Sequence, residues 1–505
     1  MKKTSILLIL LLFLCIDAFS QKVAYAVLKD STLTFYYGKN KPDGAYDVEN
    51  LVKNWYDKDD KEWFSERNHI STMVFDQSFK KYRPKSCSLW FVNFQNLTSV
   101  IGIKENLNTS EVTDMHDMFV GCENLTSLDV SGFNTEKVTD MSSMFDGCKN
   151  LSSLDVSGFK TDKVTDMSGM FLRCSKLTSL DVSGFNTDNV KDMSGMFWSC
   201  ECLTSLDVSG FNTKNVTDMQ QMFAYCENLT SLDVSGFNTD NVKDMSGMFH
   251  ECHNLTSLNV SGFKTDKVTD MSGMFLCCSK LTSLDVSGFK TEKVTDMGFM
   301  FGGCSKLTSL DVSGFNTDIV KDMSGMFWSC KCLMSLDVSG FNTENVTDMH
   351  RMFWGCENLT SLDVSGFNAV KVTNMRGMFG GCENLTSLDV SGFNTENVTD
   401  MWDMFLGCKN LTSLDVSGFN TEKVTDMSSM FDGCKNLKSI YVGDGWNTSN
   451  VTSSEVMFEN CHNLVGGQGT KYDPSHTDAS YAHIDSGESN PGYFTRKTLP
   501  NTDVK

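Results

Sequence analysis

Thirteen cysteines, from Cys122 through Cys148 and Cys174 to Cys434, recur at a spacing of 26 residues. Thiols in such a ladder could pair as disulfides, bind a soft metal, or fill an apolar seam. If successive units stack like neighbouring strands, their Cα atoms lie about 5 Å apart, within the reach of a disulfide. Each cysteine, however, closes an apolar pattern, where it serves as a small buried hydrophobe. The expectation is a ladder of reduced core thiols. Cys202, Cys277 and Cys332 stand outside it and are better placed for pairing or exposure.

A second row is acidic. It comprises Asp129, Asp155, Asp181, Asp207 and Asp233, then, after Asn259, Asp285, Asp311, Asp337, Asp363, Asp389 and Asp415. Each lies in a Ser-Leu-Asp-Val-Ser stretch. Carboxylates stacked at about 5 Å repel by somewhat under 1 kcal/mol per pair in water, less with salt. Such a stripe attracts cations or a basic protein, so these eleven aspartates are the candidate partner-binding face. Calcium prefers six to eight oxygens, and one carboxylate per unit supplies few, so only a weak Ca²⁺ association is expected.

The remaining candidates read as structure. Asp140, Asp166, Asp192 and Asp218 precede an apolar segment at the place of a helix cap. Met141 and Met144 could be soft-metal ligands, but their spacing puts them in a core. His250-Glu251-Cys252-His253 is the one compact histidine cluster; it occurs once and Cys252 belongs to the ladder, so no metal site is read there. No phosphate loop, nucleophile elbow or recurring His/acid pair is present. The expectation is a chain that is not an enzyme, with no catalytic residues, no cofactor and no dedicated metal.

The elements that position these rows follow from the unit that begins at Cys122. Leu128 and Val130 alternate with Ser127, Asp129 and Ser131, which predicts a short strand with the aspartate outward. Gly132 permits a turn, and the Asn134 side chain is expected to bond the backbone of the next coil. Met141, Met144, Phe145 and Cys148 fall at i, i+3, i+4 and i+7, which predicts a helix of about two turns. One short parallel strand and one short helix in 26 residues make an α/β solenoid coil, wound right-handed, with about 14 coils and atypical terminal ones. The predicted organisation is a signal peptide over 1–20, an N-terminal cap with a β hairpin over 21–93, the solenoid over 94–463, and a C-terminal cap and frayed tail over 464–505. Cys200-Glu201-Cys202 and Cys330-Lys331-Cys332 lie five units apart, the mark of a block duplication.

Lys2, Lys3 and the apolar run Ile6–Ile16 ahead of Ala18-Phe19-Ser20 predict export. After removal of that segment no stretch is long and apolar enough to span a bilayer. A net charge of −21 argues against nucleic acid and anionic lipid as partners. The phrase L-T-S-L-D-V-S-G-F-N-T-x-x-V-T-D-M-x-x-M-F-x-x-C, over about Phe94 to Cys461, resembles the 26-residue repeat of BspA-like leucine-rich-repeat surface proteins of bacteria. The resemblance implies an exported cell-surface protein of leucine-rich-repeat-like fold that mediates adhesion or protein–protein interaction, with host extracellular-matrix or neighbouring-cell proteins as partners. The rival expectation is a structural spacer without a specific ligand.

Overall fold

The computed structural model describes residues 21–48 and 65–497. The signal-like segment, the bulky residues Trp55, Tyr56, Trp63 and Phe64, and the chain beyond 497 lie outside them. The chain packs as two compact units: residues up to 190 with 199–206, and residues 191–198 with those from 207 onward.

The first unit opens with a five-stranded sheet in the order β3-β1-β2-β4-β5. The hairpin β1 (Val23–Lys29) and β2 (Thr32–Gly38) turns at Asp30, in left-handed backbone. β3 (Tyr46–Asp47) borders β1, and β4 (Thr72–Phe75) runs parallel to β2. β4 pairs in parallel with β5 (Ser99–Ile101), the Ser-Leu-Asp position of the first coil, so the cap covers an edge that would otherwise be open. The helix α1 (Ile103–Asn106) fills the two-residue insertion in that coil. Phe35, Phe75, Phe79 and Trp90 pack beneath this sheet, all at most 1% exposed.

In both units the repeats bury one set of side chains. Leu125, Leu128, Val130, Phe133, Val138, Met141, Met144, Phe145 and Cys148 are 0–7% exposed, as are their equivalents. Phe119, Phe145 and Phe171 stack with centroids 5.8 Å apart in the first unit. In the second, Phe197, Phe223, Phe249 and their successors continue at 5.7–5.9 Å through Phe405–Phe431. Such parallel, offset pairs contribute about 0.5–1.5 kcal/mol each beyond the area they bury.

The backbone behind that core is not the predicted one. From Met141 to Cys148 no helix forms, and the same is true of every described coil. Alternate N–H groups point along the stacking direction: those of Met141, Ser143, Phe145 and Gly147 donate to Asp166, Ser168, Met170 and Leu172 of the next coil. The intervening ones, Met144, Asp146 and Cys148, donate to the carbonyl three residues back. Ser143 (φ 51°) and Gly147 (φ 72°) are left-handed, which an α-helix excludes. The apolar spacing is thus met by consecutive turns whose bonds join coils. This ladder reaches back to Lys85, ahead of the motif that starts at Phe94: Cys87, Leu89, Phe91 and Asn93 donate to Asp114, His116, Met118 and Val120.

The predicted strand also differs. Parallel bridging runs through the Asp140 position, as Asp114–Asp140–Asp166 in the first unit and from Asp192 to Ser453 in the second. The Ser-Leu-Asp stretch is extended, but its coils are wider apart. Phe133 and Phe159 on that side are 6.4 Å apart, and Ser152 N reaches Thr126 O only at 3.5 Å. Among the described repeats, ladder strands form at β5, β6 (Ser413–Val416) and β7 (Ser439–Val442). β8 (Phe494–Arg496) returns to pair in parallel with β7, closing the last open edge with buried Tyr493 and Phe494.

Candidate functional site

The eleven aspartates of the outer row are exposed except Asp415, which is half-buried. Each is held by its own turn. Asp129 Oδ1 accepts the Ser131 N–H at 3.1 Å and the Ser131 hydroxyl at 2.6 Å, and Asp337 and Asp363 repeat this with Ser339 and Ser365. These serine bonds hold the carboxyls of Asp129, Asp155, Asp207, Asp233, Asp311, Asp337 and Asp363 below the usual range, so they stay ionised.

The row borders two open grooves, each within one unit. The larger, of about 720 Å³, is floored by Leu258, Leu284, Leu310 and Leu336 and walled by serines on one side and Asp285, Asp311, Asp337 and Asp363 on the other. The smaller, about 460 Å³, brings Asp129 and Asp155 together with Lys104. Asp181, Asp207, Asp233, Asp389 and Asp415 do not line either. Where the chain's own cations meet the row they take the second oxygen. Lys104 Nζ is 3.2 Å from Asp129 Oδ2, and Lys497 Nζ is 2.6 Å from Asp415 Oδ2.

The inner row, at the Asp140 position, is half-buried and caps turns rather than helices. Asp140 Oδ1 accepts the Ser142 N–H at 2.9 Å and hydroxyl at 2.6 Å. At three of its members the shift runs opposite to that of the outer row. Burial first, and then neighbouring aspartates, push the carboxyls of Asp218, Asp296 and Asp400 up. At two coils a histidine replaces the serine: His116 Nδ1 lies 2.7 Å from Asp114 Oδ1, and His350 Nδ1 lies 2.8 Å from Asp348 Oδ1. Sequence reasoning passed over both. The signal was Asp-x-His, with a further Asp one coil later in the first case only.

The cysteine ladder lies inside the core. Each ladder Sγ donates to the carbonyl of a phenylalanine in the preceding coil, as Cys148 does to Phe119 at 3.4 Å and Cys252 to Phe223 at 3.2 Å. Burial pushes these thiols well above their ordinary range. Cys202, Cys277 and Cys332 are partly exposed, and the described cysteines are thiols outside any disulfide. The His250–His253 cluster is split accordingly: Cys252 points inward, while Glu251 bridges His253 Nε2 at 2.5 Å and His250 Nε2 at 3.6 Å.

A polar ladder that the sequence reading missed lies at the corner. Thr135 is 1% exposed, and its hydroxyl donates to Lys160 O at 3.0 Å while accepting the Lys160 N–H at 2.7 Å. The expected role of Asn134 in bonding the next coil falls to this threonine, whereas Asn134 Oδ1 accepts Glu136 N–H within its own loop.

The family described as "Mycoplasma protein of unknown function, DUF285" matches residues 85–205, 173–275, 199–310, 255–362 and 347–470, an unbroken span from Lys85 to Thr470. The chain belongs to the DUF285 family. The DUF285 span begins where the turn ladder begins, at Lys85. A leucine-rich repeat protein from Eubacterium ventriosum, solved at 2.50 Å, is similar to this DUF285 chain at 16% identity, over 68% of this chain and 95% of that one, with a TM-score of 0.34. No curated protein matches the chain. Among the described residues no helix is long and apolar enough to cross a membrane.

Proposed function

We propose that this DUF285 chain is a non-catalytic, exported surface protein of the BspA-like leucine-rich-repeat kind, and that its Ser-Leu-Asp groove takes a protein partner through lysine or arginine side chains. The observation that carries the reading is the pair Lys104–Asp129 and Lys497–Asp415, in which the chain's own ammonium groups occupy the second carboxylate oxygen of the row. In the larger groove Asp285, Asp311, Asp337 and Asp363 likewise commit their first oxygen to a serine and turn the second to the groove. The leucine floor, recessed at 7% exposure, suits the aliphatic stem of a lysine whose head reaches the carboxylates. A right-handed coil path and a count of about fourteen coils belong to this proposal. The 26-residue register and the parallel bridges support them.

The mature chain is expected to bind immobilised matrix or cell-surface proteins. The Asp311→Asn, Asp337→Asn, Asp363→Asn triple variant should bind less, and both should weaken as salt rises, since exposed charge pairs are screened. No partner at any salt favours the spacer, and a partner held equally by the triple variant moves the site off this groove. Export is tested by cell fractionation with surface protease: an intact, protected chain refutes it.

A further inference from the structure

We propose that Asp114, His116 and Asp140 form a binding site for one divalent transition-metal ion of the zinc class. One ligand atom from each lies within 4.8 Å of the other two. An imidazole with two carboxylates is a set that Zn²⁺ accepts, with water in the remaining position, whereas calcium would want oxygens throughout.

The three side chains leave two backbones that are locked in register. Asp114 and Asp140 are a parallel bridge pair, Met115 N–H donates to Asp140 O at 3.0 Å, and Asp117 N–H donates to Ser142 O at 2.9 Å. Asp114 Oδ1 also accepts the His116 N–H at 3.1 Å, which fixes the turn that presents the imidazole. The ligands are therefore placed before an ion arrives, and the ion would tie two coils together beside the N-terminal cap.

The molecule contains its own comparison. Asp348 and His350 reproduce the first two groups at 2.8 Å, but Asn374 stands where Asp140 does. Its amide donates to Asp348 Oδ2 at 3.3 Å, and Arg376 follows two residues later, adding positive charge. The second histidine coil thus lacks the third anionic ligand, and the full set occurs once among the described residues.

Zinc titration of the full chain by calorimetry, with a competing chelator, tests this. The unaltered chain is expected to show one equivalent of bound zinc that His116→Ser and Asp140→Asn each lose, with affinity falling at least about tenfold. His350→Ser is expected to bind as the unaltered chain does. His116→Ser restores the residue found at Ser142, Ser168 and Ser194, so it should fold, and an unchanged metal-free melting curve checks that it does. Zinc binding that His116→Ser leaves intact overturns the proposal, as does an equal loss in His350→Ser or no binding by the unaltered chain.

Discussion

At corners such as Thr135, Thr343 and Thr395 a buried threonine hydroxyl satisfies two backbone groups of the next coil, and one coil has no such hydroxyl. At position 369 the residue is alanine, fully buried, whereas Thr343 and Thr395 on either side bond Asn368 and Asn420. Ala369→Thr should supply the missing pair of bonds to Asn394, stabilising the second unit by about 1 kcal/mol. Slower hydrogen exchange at the Asn394 amide would report it locally; unchanged exchange would refute it. The apolar set was legible at this scale, because Leu128, Val130, Met141, Met144, Phe145 and Cys148 follow periods that burial imposes. Thr135 was not, since nothing in a one-dimensional pattern marks a polar corner residue as buried when its partners lie 25 residues away.

Among elements, the segment from Met141 to Cys148 shows where periodicity misleads. Two successive turns place i, i+3, i+4 and i+7 on one side much as a helix does, and the bonds to the next coil and the left-handed residues distinguish them. The signal for those was weak, because the Gly147 position also accepts Arg173, Tyr225, Glu251 and Cys277. Far-ultraviolet circular dichroism should accordingly show little helical signal; a strong helical spectrum would contradict the turn ladder. Gly381→Ala, at φ 72° with Gly355 backbone 3.3 Å from the added carbon, should cost about 1–2 kcal/mol. Gly366→Ala, in ordinary backbone with its nearest neighbour at 3.6 Å, should cost less. Equal thermal shifts for the two variants would count against the left-handed requirement. In the C-terminal cap, burial would raise the Asp485 carboxyl, but bonds from Thr470, Gly487 and Gln468 hold it at about 2. Because the folded value lies below the unfolded one, the stabilisation is complete above about pH 4 and lost as pH falls through about 2. Melting curves across that range should fall more steeply for the unaltered chain than for Asp485→Asn, which should already be weaker at pH 5.

At the scale of the whole molecule, its two aspartate rows stand in different surroundings, one exposed and one half-buried. Outer carboxylates such as Asp337 and Asp363 are held low by their serines, while the inner Asp218 and Asp296 are pushed up by burial first and by neighbouring aspartates after it. Composition reports one net charge and cannot separate them. The buried thiols offer a probe of integrity: a thiol reagent added to the native chain should label Cys202 and Cys332 first, Cys277 more slowly because burial and Glu251 push its thiol up to about 12, and the ladder cysteines only on unfolding. Rapid native labelling of Cys226 or Cys252 would argue against a closed seam.

The alternation of bonds in the turn ladder has a mechanical consequence. Because every second N–H points at the next coil, tension along the stacking direction loads those bonds together with the phenylalanine column, one coil boundary at a time. A chain pulled from within the second unit in a single-molecule experiment should lengthen in equal steps. Each released 26-residue coil would add roughly 90 Å of contour, so the force trace would count coils directly.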